Sequence, residues 1–287
     1  MNLLLTGISL GLAFSALGIG IYITLKVFNI PDITTDGSFT LGGAVTSIML
    51  TQHYGLGTSI FTSIVAGVLA GIITGIVHTK LMINSLLSGI IVMTGLYSIN
   101  LILMGRSNLP LISVETIFTK FSKTQTHFSE LIIILIISVL LISLVAYLLS
   151  TDFGLAMRAT GNNELMVRAI GVNTDNMKII GMGIANGLTG LSGSIVSQYQ
   201  GFADINMGIG IVIFGLGSVM IGESIMNLFN LKNIIFRLIG VALGSVIFRL
   251  LIALVLVLGA DPNQLRLITS LLVLIFVAIP NLIKRKS

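Results

Sequence analysis

Long apolar runs separated by short polar connections fill almost the whole chain. A helix crosses the hydrocarbon core of a bilayer with about 20 apolar residues. Because the runs are continuous and do not alternate, they are typical of membrane helices and not of β-barrel strands. The pattern predicts an all-α integral membrane protein, a polytopic bundle of about eight or nine transmembrane helices in one domain, residues 1–287. The predicted spans are roughly 3–25, 39–52 (short enough for a half-helix), 57–78, 86–104, 130–149, 179–200, 207–222, 235–259 and 265–282.

The composition agrees with a membrane protein. The chain is 55% hydrophobic and 9% charged, whereas a soluble domain has about 25% charged residues. Its 32 glycines suit helices that pack closely in lipid. The chain has no cysteine, and its three histidines are too scattered to form a metal cluster by local spacing. We therefore expect no metal or cofactor in this chain, and the net charge of +5 indicates membrane orientation rather than a nucleic-acid partner.

The basic residues predict how the helices are oriented. Residues 284–286, Lys-Arg-Lys, place the C-terminus in the cytoplasm. Counting back through the spans, the segment 151–178 and the connections 79–85 and 223–237 are cytoplasmic. The loop 105–129 is outside, and nine spans place the N-terminus outside as well.

The polar segment 151–178, TDFGLAMRATGNNELMVRAIGVNTDNMK, stands apart from the apolar chain. Asn162 or Asn163 can cap the start of a short helix and Gly171 can end it. Glu164 and Arg168 are four residues apart, in the order that favours an ion pair. The other face of this helix is apolar and comprises Leu165, Met166, Ala169 and Ile170.

Such a helix of about two turns, roughly 12 Å long, is unstable alone in water and must dock on something. It fits an amphipathic helix that rests on lipid or on the ends of the spans. It also fits a helix that enters a groove on a partner protein. The pattern leaves both interpretations open.

The motifs of this segment carry a resemblance to a known family. Phe153–Gly154 is followed by Arg158–Ala159, and the segment ends in Ala169 and Gly171–Val172–Asn173. It resembles the coupling segment of bacterial ABC importer permeases of the branched-chain-amino-acid and ribose permease superfamily. The next stretch, LTGLSGSIVSQYQGFADINMGIG, resembles the following helix and loop of those permeases. PDITTDGSFTLGGA and FRLLIALVLVLG…LRLITSLLVL look most like the tryptophan/tyrosine-type branch.

The resemblance implies a membrane-spanning permease subunit of an ATP-binding-cassette importer. It would form the path for a small polar solute, an aromatic or branched-chain amino acid, in a bacterial cell membrane. It implies a permease homodimer, a solute-binding lipoprotein outside the cell, and a separate ABC ATPase that binds ATP and Mg²⁺. The chain contains no G-x-x-x-x-G-K-[ST] loop, so we expect it to have no ATPase activity of its own. We expect it to be a transport subunit and not an enzyme.

The same resemblance implies residues that couple the permease to its ATPase. Glu164 and Arg168 are expected to face the ATPase or water, with the apolar stripe resting under the permease's own helix ends. The coupling residues predicted in this way are Asn163, Glu164, Arg168, Ala169 and Gly171.

A second polar interruption, NIPDITTDGSFTLGGAV at 29–45, separates two apolar runs. Asp36 or Ser38 could cap a helix that begins near Phe39. Broken helices at membrane depth occur where they line a cavity. An ordinary cytoplasmic turn is the alternative, and the sequence does not decide between them.

Arg249 lies in the middle of an apolar span, where a charge is costly and hence a candidate for function. It could face the pore, or pair with an acid such as Glu223 or Asp36, or extend towards an interface. Asn100, also within a span, favours hydrogen bonding between helices. The candidate residues of the translocation path are Asp36, Ser38, Asn100, Glu223 and Arg249.

Two other classes of protein can be weighed against an importer permease. A stand-alone channel or secondary transporter needs internal selectivity or ion-coupling groups, yet intramembrane acids are few and no two-half repeat is evident. An intramembrane enzyme is disfavoured because no H-E-x-x-H motif is present.

Overall fold

The computed structural model is a bundle of helices with one small sheet of two antiparallel strands. It describes residues 2–112, 114–121, 127–231, 233–259, 261 and 264–284, with backbone alone for residues 2, 3, 266 and 277–284. Arg285 and Lys286, two of the basic residues that predict a cytoplasmic C-terminus, lie outside the described residues. The elements are α1 (Asn2–Ala13), α2 (Ser15–Tyr22), a π-helical turn (Ile23–Val27), α3 (Thr34–Thr51), α4 (Leu56–Thr79), α5 (Ser85–Met104), β1 (Asn108–Pro110), α6 (Ile117–Phe121), α7 (His127–Ser150), α8 (Asp152–Asn162), α9 (Glu164–Ala169), α10 (Thr174–Gln200), β2 (Phe202–Asp204), α11 (Ile211–Leu228), α12 (Ile234–Val257) and α13 (Leu265–Lys284).

Each of the nine predicted spans corresponds to a helix or a near-continuous run of helix. Among the described residues, seven helical stretches are long and apolar enough to cross a membrane, by length and composition. The other two are α3, which is rich in Thr, Ser and Gly, and α13, which has a shorter apolar stretch at Leu267–Phe276. The multi-pass helical class is therefore confirmed, while the count of eight or nine spans stays a prediction.

Two stretches form the centre of the bundle. In the most apolar part of Leu4–Val27 and of Thr174–Gln200, 72% of the residues are buried, whereas in His127–Ser150, at the periphery, the share is 28%. Their burial follows from small residues that let backbones approach. A Cβ on Gly42 of α3 would overlap the carbonyl oxygen of Gly190 in α10, so only glycine permits this helix crossing.

The connections between the helices lie near one or the other end of α10. This helix has 27 residues and is about 40 Å long. At its end, β2 pairs antiparallel with β1. At its start, Asp175 forms an ion pair with Lys80, which follows α4, at 3.4 Å. The loop predicted outside and two of the segments predicted in the cytoplasm thus lie at opposite ends. We call them the sheet end and the α9 end.

Candidate functional site

The chain between the π-helical turn and α3 is extended and polar. α3 begins at Thr34, so the predicted start near Phe39 and the predicted capping of α3 by Asp36 or Ser38 are wrong. Asp32 explains the earlier start, because its Oδ1 accepts a hydrogen bond from the backbone N–H of Thr34 at 2.9 Å. Asp36 and Ser38 lie inside the helix instead.

A buried asparagine joins the start of α3 to the centre of the bundle. Asn186 Nδ2 donates to Asp32 Oδ2 at 2.7 Å, and Ser38 Oγ donates to Asn186 Oδ1 at 2.7 Å. Asn186 is the thirteenth of the 27 residues of α10, so α3 begins near half the length of that helix. This position favours a broken helix inside the bundle over a turn at its surface. Sequence reasoning missed Asn186, although an asparagine in the apolar, glycine-rich GMGIANGLTG was a usable signal.

Asp36 caps a helix that is far away in sequence. Its Oδ2 accepts from the N–H of Gly210 at 2.8 Å and its Oδ1 from the N–H of Val212 at 2.9 Å. These groups belong to the start of α11, where unpaired N–H groups and the helix dipole favour a carboxylate. The starts of α3 and α11 therefore meet at Asp36.

Arg249 of α12 lies beside this meeting point. Its guanidinium carbon is 5.7 Å from the centroid of the Phe14 ring, within the range of a cation–π contact. The ion pair with Asp36 or Glu223, one of the alternatives that the sequence left open, does not form. The Asp36 carboxylate bonds to the start of α11, and Glu223 forms an ion pair with Lys26 of the π-helical turn.

Two cavities meet at Arg249. The first has a volume of 230 Å³ and lies between aromatic side chains, with Gly210 at its edge. The second has a volume of 200 Å³ and extends from Arg249 along α1 and α12. We call the first one the Arg249 cavity. Its lining includes Phe14, Gly210, Phe214, Arg249, Leu265 and Thr269.

The aromatic side chains beside the Arg249 cavity pack against one another. The Phe14 and Phe214 ring centroids are 4.7 Å apart, and the rings of Phe214 and Phe248 meet edge to face at 5.0 Å. A fixed cation beside aromatic faces can hold a carboxylate together with an apolar or aromatic side chain.

The structure brings only some of the predicted path residues together. Asn100 Nδ2 of α5 donates to the carbonyl oxygen of Gly37 at 3.3 Å, which is the hydrogen bond between helices that its position favoured. Asp36 and Ser38 are thus residues of α3, and Asn100 bonds to that helix from α5. Arg249 lies across the start of α11 from them, and Glu223 lies apart, against Lys26.

The polar segment folds into α8 and α9 at the α9 end of the bundle. α9 has the predicted capping residues at its two ends. Asn163 Oδ1 accepts a hydrogen bond from the N–H of Met166 at 3.0 Å, and Gly171 follows the helix with a φ of 90°. A positive φ suits glycine, so the helix ends there.

The charged residues of α9 bond to the start of α10. Arg168 Nη2 contacts Glu164 at 2.9 Å and Asp175 at 2.6 Å, and Lys178 Nζ contacts Glu164 at 2.6 Å. Partial burial acts to raise the pKa of the Glu164 carboxyl. The hydrogen bond and charge of Lys178, with Thr174 and Arg168, outweigh it and hold this pKa below its usual value.

The apolar face of α9 points away from the protein. Leu165 is 81% exposed, Met166 64% and Ile170 70%. The expectation that this stripe rests under the permease's own helix ends is therefore wrong. The polar side of α9 is occupied by α10, and Val167 is the one side chain of α9 that is buried. Asn163, Ala169 and Gly171 are exposed as well.

Broken helices and polar contacts in the centre of an apolar helical bundle are a feature of membrane transport proteins. The family described as the permease component of the branched-chain amino acid transport system matches residues 3–278, and the chain belongs to this family.

Two curated relatives match nearly the whole chain. The tyrosine transport system permease protein of Clostridioides difficile (strain R20291) is 36% identical over 271 residues, covering 94% of this chain and 89% of the relative. The uncharacterised protein RP368 of Rickettsia prowazekii (strain Madrid E) is 32% identical over 276 residues, covering 96% of each. Among solved structures, PsaBC from Streptococcus pneumoniae in complex with Fab aligns over 86% of this chain and 89% of that chain, with 16% identity and a TM-score of 0.36, a likeness on which no conclusion rests.

Proposed function

We propose that this chain is the membrane-spanning subunit of an ATP-binding-cassette importer and that a separate ATPase drives it by binding α9. The observation that carries the proposal is the exposed apolar face of α9, Leu165, Met166 and Ile170, on a helix fixed by ion pairs to α10. A helix anchored on one side and apolar on the other is suited to enter a groove of a partner and transmit its movement.

A chain of contacts leads from α8 to the broken helix. Asn29 Nδ2 donates to the carbonyl oxygen of Gly161 in α8 at 3.0 Å. A Cβ on Gly161 would overlap the carbonyl oxygen of Val27, so α8 packs directly on the π-helical turn. From Asn29 the chain continues through Asp32 to the start of α3. Movement of α8 and α9 by the ATPase would therefore reach the centre of the bundle.

For the solute, we propose an aromatic or branched-chain amino acid that passes the Arg249 cavity. The relative with 36% identity is named as a tyrosine transport system permease. Arg249 would hold the carboxylate of the amino acid, and Phe14 and Phe214 would contact its side chain. Asp36, Ser38 and Asn100 would then keep the neighbouring helix starts in place.

The remaining components follow from the same proposal. The ATPase binds ATP and Mg²⁺, and two copies of this permease form the pore in a bacterial cell membrane. A solute-binding lipoprotein docks at the sheet end of the bundle, outside the cell. The C-terminus lies in the cytoplasm, on the side of α9.

The test compares the same substitution at the two ends of the molecule. Ile170→Asp changes the exposed face of α9, and the control Ile112→Asp changes a side chain that is 79% exposed near β1. Each full-length variant is purified from its host in mild detergent, and copurifying proteins are quantified by mass spectrometry. We expect a Walker-type ATPase with the wild type and with Ile112→Asp, and at least about tenfold less with Ile170→Asp, because a buried unpaired carboxylate is costly.

Undiminished ATPase in the Ile170→Asp sample would rule out docking through α9. Solute flux by the purified chain in vesicles without ATP or an ATPase would instead support a stand-alone channel or secondary transporter.

A further inference from the structure

A third cavity, at the α9 end of the bundle, is lined by basic side chains. It has a volume of 400 Å³ and lies between the π-helical turn, α8 and α12. Lys26, Arg158 and Arg237 all line it, together with Tyr22 and uncharged residues. We call it the basic cavity.

The positive charge of the basic cavity is only partly balanced. Glu223 pairs with Lys26. In the part of the chain that the structure describes, neither Arg158 nor Arg237 forms a salt bridge with an acid. Arg158 Nε is also buried without a hydrogen-bond partner. A buried N–H donor without an acceptor is energetically unfavourable, so we expect a ligand bound in the basic cavity to supply the acceptor.

An apolar groove adjoins the basic cavity on the outer surface of the bundle. It has a volume of 650 Å³ and runs between α7 and α12. Ile234 lines both the groove and the basic cavity, so the two meet there. The walls of the groove are mainly aliphatic, with Val139, Ile142, Ala146 and Ile239 among them.

This combination matches the two chemical parts of a phospholipid. A phosphate needs several cationic donors at one place, and arginine meets it with paired N–H groups. An acyl chain needs a long apolar groove beside it. A basic pocket between helices, close to the ends of the spans, is the setting in which anionic lipid headgroups bind.

We propose that the basic cavity binds the headgroup phosphate of an anionic phospholipid and that the α7–α12 groove holds one of its acyl chains. Because Arg158 lies in α8 and Lys26 in the π-helical turn, a bound phosphate would join these two elements through their side chains. The proposal does not depend on the solute or on the ATPase.

The experiment uses the delipidated full-length protein in detergent and three probes. These are phosphatidylglycerol, phosphatidylcholine with the same acyl chains, and inorganic phosphate. Native mass spectrometry measures bound lipid, and thermal unfolding measures stabilisation. We expect one tightly held phosphatidylglycerol, at least about tenfold weaker phosphatidylcholine, and no comparable stabilisation by inorganic phosphate.

Variants locate the site. Arg158→Gln with Arg237→Gln should weaken phosphatidylglycerol binding about tenfold or more, whereas Arg106→Gln, at an exposed position at the sheet end, should leave it unchanged. Ser143→Trp, which fills the groove from an exposed position, should weaken the lipid as well.

Three outcomes would overturn the proposal. Equal stabilisation by the two lipids would show that the charge is not recognised. Inorganic phosphate that stabilises as well as the lipid would identify a free anion site. Undiminished lipid binding in the double variant would place the lipid elsewhere. If the double variant does not fold, the comparison of the three probes on the wild type decides the matter.

Discussion

Glu164 and Arg249 show two different uses of charge in an apolar protein. Glu164 lies at the surface and bonds to Arg168, Lys178 and Thr174, so it fixes the orientation of α9. Arg249 lies between Phe14 and two cavities, where a charge persists only in a supporting environment. The first residue therefore determines how α9 is presented, and the second determines the chemistry of a cavity.

The lowered pKa of Glu164 predicts a pH-dependent attachment of α9. A carboxyl whose pKa is lower in the folded state stabilises that state above its ordinary pKa of about 4.3 and loses this contribution as the pH falls through the lowered value. At pH 7 we expect Glu164→Gln to speed backbone hydrogen exchange in residues 163–172 about two- to fivefold, because the ion pairs are partly exposed.

This difference should disappear once the pH falls below the lowered pKa of Glu164, since the wild-type carboxyl is then neutral too. Exchange is measured by mass spectrometry with correction for the intrinsic rate at each pH. The control Glu115→Gln should not affect this peptide. A difference that persists at low pH would show that charge is not what holds α9.

Arg249 predicts a loss of transport without loss of assembly. If its guanidinium holds the carboxylate of the solute, Arg249→Ala should lower tyrosine uptake about tenfold or more, because hydrogen bonds to charged groups contribute about 1.5–3 kcal/mol. Arg249→Lys should retain part of the uptake, and Arg106→Ala should retain all of it. Uptake is measured in cells at matched protein levels, with leucine as a second solute. Normal uptake by Arg249→Ala would reduce the residue to a structural role.

At the scale of elements, α3 and α10 pack with their backbones in contact, and α11 begins at the same depth. The close crossing at Gly42 and Gly190 brings Ser38 within reach of Asn186. It also places Asp36 against Gly210. Backbone proximity is thus what creates the polar centre of the bundle.

Two glycines predict opposite effects of the same substitution. A Cβ on Gly42 would overlap the carbonyl oxygen of Gly190, whereas a Cβ on Gly95 of α5 would meet nothing within 4 Å. Gly42→Ala should therefore lower the thermal unfolding midpoint in detergent by roughly 5–10 °C, since overpacking costs about 1–3 kcal/mol. Gly95→Ala should leave it unchanged or raise it by up to about 3 °C, because alanine favours the helix. Equal midpoints for the two variants would contradict the close crossing.

At the scale of the whole molecule, the two ends differ in character. The sheet end carries β1 and β2, and the α9 end carries α8, α9 and the basic cavity. The basic residues near α9 predict that this end faces the cytoplasm.

The absence of cysteine from the sequence allows a direct test of this orientation. Ile112→Cys and Leu165→Cys each introduce one thiol at an exposed position, at opposite ends. A membrane-impermeant maleimide should label Ile112→Cys in intact spheroplasts, and Leu165→Cys only after permeabilisation. The reverse pattern would invert the orientation, and labelling of both positions without permeabilisation would contradict the arrangement of the spans.

Much of the fold could be predicted because its signals are local. Apolar runs long enough to cross a bilayer define the helices, and Asn163 and Gly171 define the ends of α9 within ten residues of one another. The family could also be recognised from local motifs at 151–178, and its identification is confirmed by the match to residues 3–278. The start of α3 differs from the prediction because the Asp32 carboxylate bonds to the N–H of Thr34 and the helix begins there.

By itself the sequence determined the membrane class, the helical runs, the short helix α9 and the family, since each depends on residues that are near neighbours in the chain. Only the tertiary structure decided which groups meet. Asp36 caps a helix through Gly210, 174 residues later, Asn186 joins Asp32 to Ser38, and Arg249 lies against Phe14. It also decided that α9 turns its apolar face outwards, because its charges find their partners at the start of α10. Such contacts depend on how closely distant helices pack, and no local pattern records that distance.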